Sequence, residues 1–271
     1  MTASVKMDRF FVEKPWGRTD VPASFAPPEG QRIGEIWYQA ESPAELPLLV
    51  KYIFTSERLS IQVHPDDAQA QASGLARGKQ EGWYILDCEP DARLGIGFTR
   101  PISEDELVAR AQDGSLEEVI DWKPIKPGDF YFIPAGTVHA IGAGVTLVEV
   151  QQNADVTYRL YDYGRPRELH LEAGRAVSRL APYEKMLIQA PIGCEAELVE
   201  NDALPFWLKL CRYKAGERIG VHRGERNWFI PLKGAGAIDG ADWAPGDCWL
   251  VGPDSEIVAA GDGSALIAGE Y

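Results

Sequence analysis

Basic charge is in short supply: 27 lysines and arginines stand against 41 aspartates and glutamates in 271 residues, a formal net charge of −14. That balance argues against nucleic acid and anionic membrane surfaces as partners, since both reward a basic face. Long apolar runs are missing as well. No stretch of about eighteen apolar residues occurs, and MTASVKMDRFF has no basic, apolar, small-residue leader, so neither a membrane span nor a secretory signal is expected and the cytoplasm is the default compartment. Cysteine is sparse, and Cys88, Cys194, Cys211 and Cys248 form no CxxC pair, which makes them structural thiols. An anionic substrate would need lysines or arginines gathered locally, because the bulk charge repels it.

What the chain has in quantity is short runs rich in Val, Ile, Phe, Tyr and Trp, cut by Gly, Pro and Asp turns: LPLLVKYIF, LSIQV, GWYIL, FYFIP, VTLVEVQ, VTYRLYDY, WLKLCRY and NWFIP. This pattern predicts an all-β sandwich or barrel. Two stretches read as helical, SEDELVARAQDG with the following SLEEVI, where Ser103 and Glu106 form a capping-box signature, and a shorter one near DDAQAQASGLA. Both are expected as insertions between strands.

The chain also repeats itself. KPGDFYFIPAGTVHAIGAG from Lys126 aligns with APGDCWLVGPDSEIVAAG from Ala244, SIQVH (60–64) with RIGVH (218–222), and EGWYI (81–85) with RNWFI (226–230), in the same order. The spacings differ as loop insertions in the first copy would make them, the helical segment near 103–120 being the largest. Two duplicated β modules are expected, divided near residue 180.

The first module carries a metal-ligand pattern. Gln62 and His64 in LSIQVHPDD are two apart, so on a strand they share a face. Glu81 opens EGWYIL two residues after Lys79, and the turn at Pro134, Ala135 and Gly136 returns His139 toward the barrel interior. Two imidazoles, a carboxylate and an amide oxygen suit zinc, one ion per chain, with Fe(II), Mn or Co chemically possible. In the second module these positions align with Gly220, His222, Arg226 and Ile257, so three of the four ligand types are gone while the Trp, Ile and Gly framework stays. Residues needed only for packing would have been kept. His222 and His170 are assigned no role.

The Gly128–His139 segment fits the second cupin motif, G-x5-P-x-G-x2-H, with Ala143 where an Asn often stands. In order, EKPWGR, GEIWY, PLLVKYIFTSERLSIQVHPDD, GKQEGWYIL, the long block from Gly128 to Arg165 and RELHLE resemble the signature blocks of type I mannose-6-phosphate isomerases, over about residues 9–175. The resemblance implies a double cupin: residues 1–180 a metal-binding catalytic barrel and 181–271 a degenerate second one that stabilises the first. It implies zinc-dependent interconversion of mannose 6-phosphate and fructose 6-phosphate through a cis-enediol. The sequence is silent on oligomeric state, and a monomer is the default expectation. The family's ligands fall on Gln62, His64, Glu81 and His139, its active-site arginine on Arg159, its lysine on Lys79 and an acidic residue on Asp155. Trp16 is read as part of the sugar-pocket floor. Gly82 stands where a Cys is usual and Ala154 where a Ser is usual. The proton-shuttling base stays open among His64, Lys79, Glu149, Asp155 and a metal-bound water. Rival readings are an isomerase for a related or non-phosphorylated aldose, an Fe(II) cupin oxygenase, and a metal-containing sugar-binding cupin without turnover.

Overall fold

Seven consecutive residues, Leu48–Phe54, are buried although their side chains alternate in direction. A strand buried on both faces must lie in a sheet covered on both sides, and the architecture follows from that requirement. The structure, a computed structural model, describes residues 4–40, 46–221 and 224–271. Its first strands are β1 (Val5–Lys6), β2 (Asp8–Arg18), β3 (Ile33–Gln39), β4 (Leu48–Phe54), β5 (Ile61–Val63), β6 (Glu81–Cys88), β7 (Arg93–Phe98), β8 (Ile120–Pro124), β9 (Asp129–Ile133), β10 (His139–Ile141), β11 (Val145–Gln152) and β12 (Tyr158–Tyr161). The remainder are β13 (Ile188–Gln189), β14 (Ala196–Val199), β15 (Trp207–Tyr213), β16 (Asn227–Lys233), β17 (Gly236–Ile238), β18 (Ala241–Trp243), β19 (Trp249–Val251), β20 (Ile257–Ala259) and β21 (Gly263–Gly269).

They form four antiparallel sheets, ordered β13-β9-β6-β11-β4-β3-β2, β12-β5-β10-β7-β8, β1-β19-β16-β21-β15-β14 and β18-β17-β20. Stacked in layers, they enclose separate cores. Leu48, Val50, Tyr52 and Phe54 of β4, with Phe130, Phe132, Val148 and Val150, meet Leu208, Leu210, Trp228, Ile230 and Leu266 of the six-stranded sheet. The opposite faces of the same strands supply Ile53, Trp83, Ile85, Tyr131, Ile133 and Leu147, which meet Leu94, Ile96 and Ile141 of the five-stranded sheet inside the first barrel. The first core joins the two barrels, so truncating a large side chain there should be felt by the whole molecule. Phe206 is fully buried and stacks edge-on against Phe132, with ring centroids 5.9 Å apart. Phe206→Ala should cost about 3–5 kcal/mol of stability, read as a shift in the urea midpoint.

The helices that follow β7 and β12 cover the outer face of the five-stranded sheet. The helix α1 (Asp67–Ala72) carries a complete capping box at Asp66 and Gln69. In α2 (Glu104–Asp113) the Ser103 side chain accepts from the Glu106 N–H, as its sequence foretold, but the Glu106 carboxylate turns to Arg100 and Arg110, so only half of the box forms. SLEEVI becomes a 3-10 turn at Ser115–Glu118 and then joins β8. A further helix, α3 (Leu171–Val177), was not legible, because His170 at its start provides no side-chain cap.

The strand order repeats. The run β9-β6-β11-β4 recurs as β19-β16-β21-β15, and β10-β7-β8 as β20-β17-β18. Pairing corrects the sequence alignment by one residue at two places. Glu81 faces Ile133 as Asn227 faces Val251, and Gln62 faces His139 as the Arg218–Val258 bridge places Ile219 opposite Ile257. The second-barrel counterparts of Gln62, His64, Glu81 and His139 are therefore Ile219, Val221, Asn227 and Ile257, instead of Gly220, His222, Arg226 and Ile257. His222 itself lies outside the described residues.

Candidate metal centre and active-site cleft

A row of side chains crosses the inner face of the five-stranded sheet. On β5, Ile61 and Val63 point outward into the helical layer, so the residues that alternate with them, Gln62 and His64, point into the barrel. Gln62 sits opposite His139 on β10 and opposite Arg159 on β12. Gly136, with φ +81°, makes the turn that brings β10 back, and its N–H donates to the His64 carbonyl at 2.9 Å. From the facing seven-stranded sheet β6 contributes Glu81.

His64, Glu81 and His139 are buried, and one ligand atom from each lies within 4.8 Å of the others. Each imidazole is oriented from behind: His64 Nδ1 lies 2.7 Å from the Val156 carbonyl and His139 Nδ1 lies 2.8 Å from the Thr137 carbonyl. A carbonyl only accepts, so both rings carry the proton on Nδ1 and aim a lone pair from Nε2 at the centre. Burial lowers His139 to about 4 and, with the Lys79 charge, takes His64 well below its ordinary value. Both are thus neutral, as ligands must be.

Glu81 Oε1 lies 3.2 Å from His139 Nε2 and 3.7 Å from His64 Nε2, and no donor reaches it in hydrogen-bonding geometry. Three lone pairs facing one another in a buried space call for a cation. The amide of Gln62 stands 3.4 Å from His139 Nε2 with its nitrogen inward, and a half-turn of the amide presents oxygen instead. The donor set therefore fits a divalent metal. Without one, burial and Glu149 raise the Glu81 carboxyl to about 8.

Around the centre three lysines pair with three carboxylates: Lys79 with Glu81 at 2.9 Å, Lys51 with Glu149 at 3.3 Å and Lys14 with Glu35 at 3.4 Å. Burial pulls Lys79 down, but Glu81 and Glu149 outweigh it and hold the ammonium above its usual value. Burial pushes Glu149 up, yet Lys79 and Lys51 keep its carboxyl at about 2. Trp83 Nε1 donates to Glu149 at 2.9 Å, and its ring meets His139 edge-on. The pairs cancel in charge, so a bound dication leaves the cleft positive.

The cleft above the centre is lined by Trp16, Gln62, Lys79, Asp155 and Arg159, together with Lys14, Lys51, Glu149 and Arg167. Trp16 is buried in its wall, Asp155 stands exposed at its rim, and Arg159 is half-buried. Arg159 Nη1 donates to the Glu168 carbonyl at 2.8 Å, while its Nε is buried without a partner. It forms no ion pair with Asp155 or Asp162 among the described residues. His170 has a supporting part after all: its Nδ1 accepts from the Arg159 backbone N–H at 3.2 Å. Lys14, Glu35, Lys51 and Arg167 were not picked out from the sequence. The available signal was a lone charge inside an apolar strand, as in LLVKYIF and GEIWY, which a buried face tolerates only when the charge is paired.

No family model matches the chain. Over 133 residues it is 45% identical to the mannose-6-phosphate isomerase ManA of Bacillus subtilis, covering 46% of this chain and 42% of that protein. Over 173 residues it is 36% identical to a probable mannose-6-phosphate isomerase, GmuF, of the same organism, covering 59% of this chain and 55% of the relative. The chain thus matches about half the length of these curated relatives. Among solved structures, the mannose 6-phosphate isomerase of B. subtilis superposes with a TM-score of 0.85 at 26% identity, covering 99% of this chain and 100% of that one. A putative mannosephosphate isomerase of Archaeoglobus fulgidus shares the fold at TM-score 0.79 and 20% identity, with 99% and 97% coverage. By sequence over part of its length and by fold over nearly all of it, the chain is similar to mannose-6-phosphate isomerases and has their cupin-like fold.

Proposed function

We propose that this protein is a mannose-6-phosphate isomerase holding one zinc ion through Gln62, His64, Glu81 and His139. The observation that carries the reading is the buried convergence of two Nδ1-protonated imidazoles and an unpartnered carboxylate oxygen beneath a cleft bearing Arg159 and Lys79. Zinc suits two nitrogen and two oxygen donors and, when bound, supplies Lewis-acid polarisation of a substrate oxygen.

Aldose–ketose interconversion moves one proton between C1 and C2 and another between the two oxygens, through an enediol that carries developing negative charge. Lys79, held protonated by its carboxylate neighbours, and Arg159, pinned on the Glu168 carbonyl, stabilise that charge. Of the candidate bases, His64 has both nitrogens committed and Lys79 keeps its proton. Among the side chains the carboxylates Glu149 and Asp155 remain, with Glu149 held ionised, and so only weakly basic, by Lys79 and Lys51. Trp16 and Trp83 exclude water from one side of the cleft. Residues 1–180 carry the chemistry in this reading. Residues 181–271 back the catalytic barrel with the apolar face of the six-stranded sheet, and Ile219, Val221 and Ile257 fill, in their own core, the positions that hold ligands in the first barrel.

The test compares mannose 6-phosphate with free mannose as substrate for the purified protein, reading the ketose formed. Charge-assisted hydrogen bonds from arginine to phosphate are worth about 1.5–3 kcal/mol each, so kcat/KM should favour the phosphorylated sugar by about 100-fold or more. Equal turnover of both sugars would point to a free-aldose isomerase, and a metal-loaded protein that turns over neither would be a binding protein.

A further inference from the structure

The seven-stranded sheet ends on β2, which pairs with β3 on one side and with no other strand among the described residues on the other. From Asp8 to Glu13 the backbone of β2 meets only that of β3, so half of its N–H and C=O groups along this stretch face outward, ready to template another strand. Where the pairing slips, between Val12 and Glu13, it skips Gly34, so the extra residue sits in β3 and β2 itself stays regular. Pro15, which has no N–H, closes the free stretch at one end. Phe10, near its middle, is 54% exposed, a large apolar ring left in water on an edge that would ordinarily be blunted.

The free stretch, DRFFVEK from Asp8 to Lys14, is complementary to itself. Placed antiparallel to a second copy with Phe11 on a two-fold axis, Asp8 faces Lys14, Arg9 faces Glu13 and Phe10 faces Val12, each twice. Opposite charges then meet at both ends and apolar side chains in the middle, the pairings that stabilise adjacent strands. Moving the axis by one residue, to Phe10 or to Val12, sets Arg9 or Glu13 against Phe11 and loses both kinds of ion pair. Asp8 and Glu13 are exposed and form no ion pair among the described residues. Arg9 and Lys14 are held by Asp247 at 2.7 Å and by Glu35 at 3.4 Å, yet their side chains stay 22% and 28% exposed. At the opposite edge of the sheet β13 is only two residues long, Ile188–Gln189. Head-to-tail addition therefore has little to pair with, and the contact closes as a two-fold pair instead of running on into a filament.

We propose that β2 docks against β2 of a second copy of this chain, antiparallel about Phe11, and joins two seven-stranded sheets in a closed dimer. Lys14 also lines the cleft, so each end of the joint lies beside one cleft. The dimer does not depend on the isomerase reading and stands or falls separately from it. Sedimentation equilibrium over a range of protein concentrations, with circular dichroism as the folding control, measures the association. The wild type should pass from monomer to dimer as concentration rises. Phe10→Ser and Glu13→Lys should each weaken the association by about 10-fold or more, because every change acts twice across the axis. Arg9→Glu should do the same, and an equimolar mixture of Glu13→Lys with Arg9→Glu should dimerise again, since positions 9 and 13 of the two chains then carry opposite charges. Asp8→Lys, at an exposed side chain with no ion pair to lose, repeats the charge test without disturbing Asp247. A wild type that stays monomeric up to about 200 μM, above any affinity a functional contact would need, would overturn the proposal. A dimer unaffected by Phe10→Ser, Glu13→Lys and Asp8→Lys would overturn it as well, by placing the contact on another surface.

Discussion

Replacing His139 with alanine is expected to strip the protein of its metal and lower turnover by about 10³-fold or more, since a Lewis-acid ion is worth several kcal/mol of transition-state stabilisation. The reasoning is geometric. His139 supplies one of the two lone pairs that converge with Glu81 Oε1, and its ring is fixed by the Thr137 carbonyl behind and by Trp83 at its edge. No other histidine or cysteine joins the cluster among the described residues. The variant should fold, because the sheet around β10 is held by Ile141, Ala140 and their neighbours. Metal content by plasma emission, with far-ultraviolet circular dichroism as the folding control, checks it. A folded His139→Ala protein that retains full metal and turnover would remove His139 from the ligand set.

Arg159→Ala should behave differently, keeping the metal while lowering kcat by about 10²- to 10³-fold, the usual effect of removing one donor aimed at developing negative charge. Arg159 pairs with Gln62 across neighbouring strands but, as a cation, is itself no metal ligand. Its guanidinium is held at Nη1 by the Glu168 carbonyl and through the backbone by His170, which leaves the rest of the fork for the cleft. Burial, and then the nearby Arg167 charge, lower its pKa from the arginine value. Lysine at 159 should recover only part of the rate, because an ammonium cannot reproduce the planar fork. Metal content and kcat measured on the same preparation separate this outcome from loss of the ion.

Much of the candidate metal centre was legible because it obeys the two-residue period of a strand. Gln62 and His64 share a face, Glu81 opens its own strand, and the turn through Gly136 returns His139 to them. The same period explains an error. A slip of one residue exchanges the two faces of a strand, so aligning Glu81 with Arg226 instead of Asn227 replaced an inward residue by its neighbour. The lysine–carboxylate pairs were harder to see, since Lys51 and Glu149 are brought together only by the register of β4 against β11. Arg167 was hidden for a related reason. Its direction is set by Asp162 and by a left-handed Tyr163, a conformation that no local preference of tyrosine announces.

The central claim is that turnover requires a divalent ion at the His64, Glu81 and His139 centre. It is tested most directly by removing all metal with a chelator and titrating zinc back while isomerisation of mannose 6-phosphate is followed. The account predicts loss of activity on removal and linear recovery that saturates at one equivalent per chain. Full activity in the metal-free protein, or recovery that does not depend on an intact His139, would contradict it.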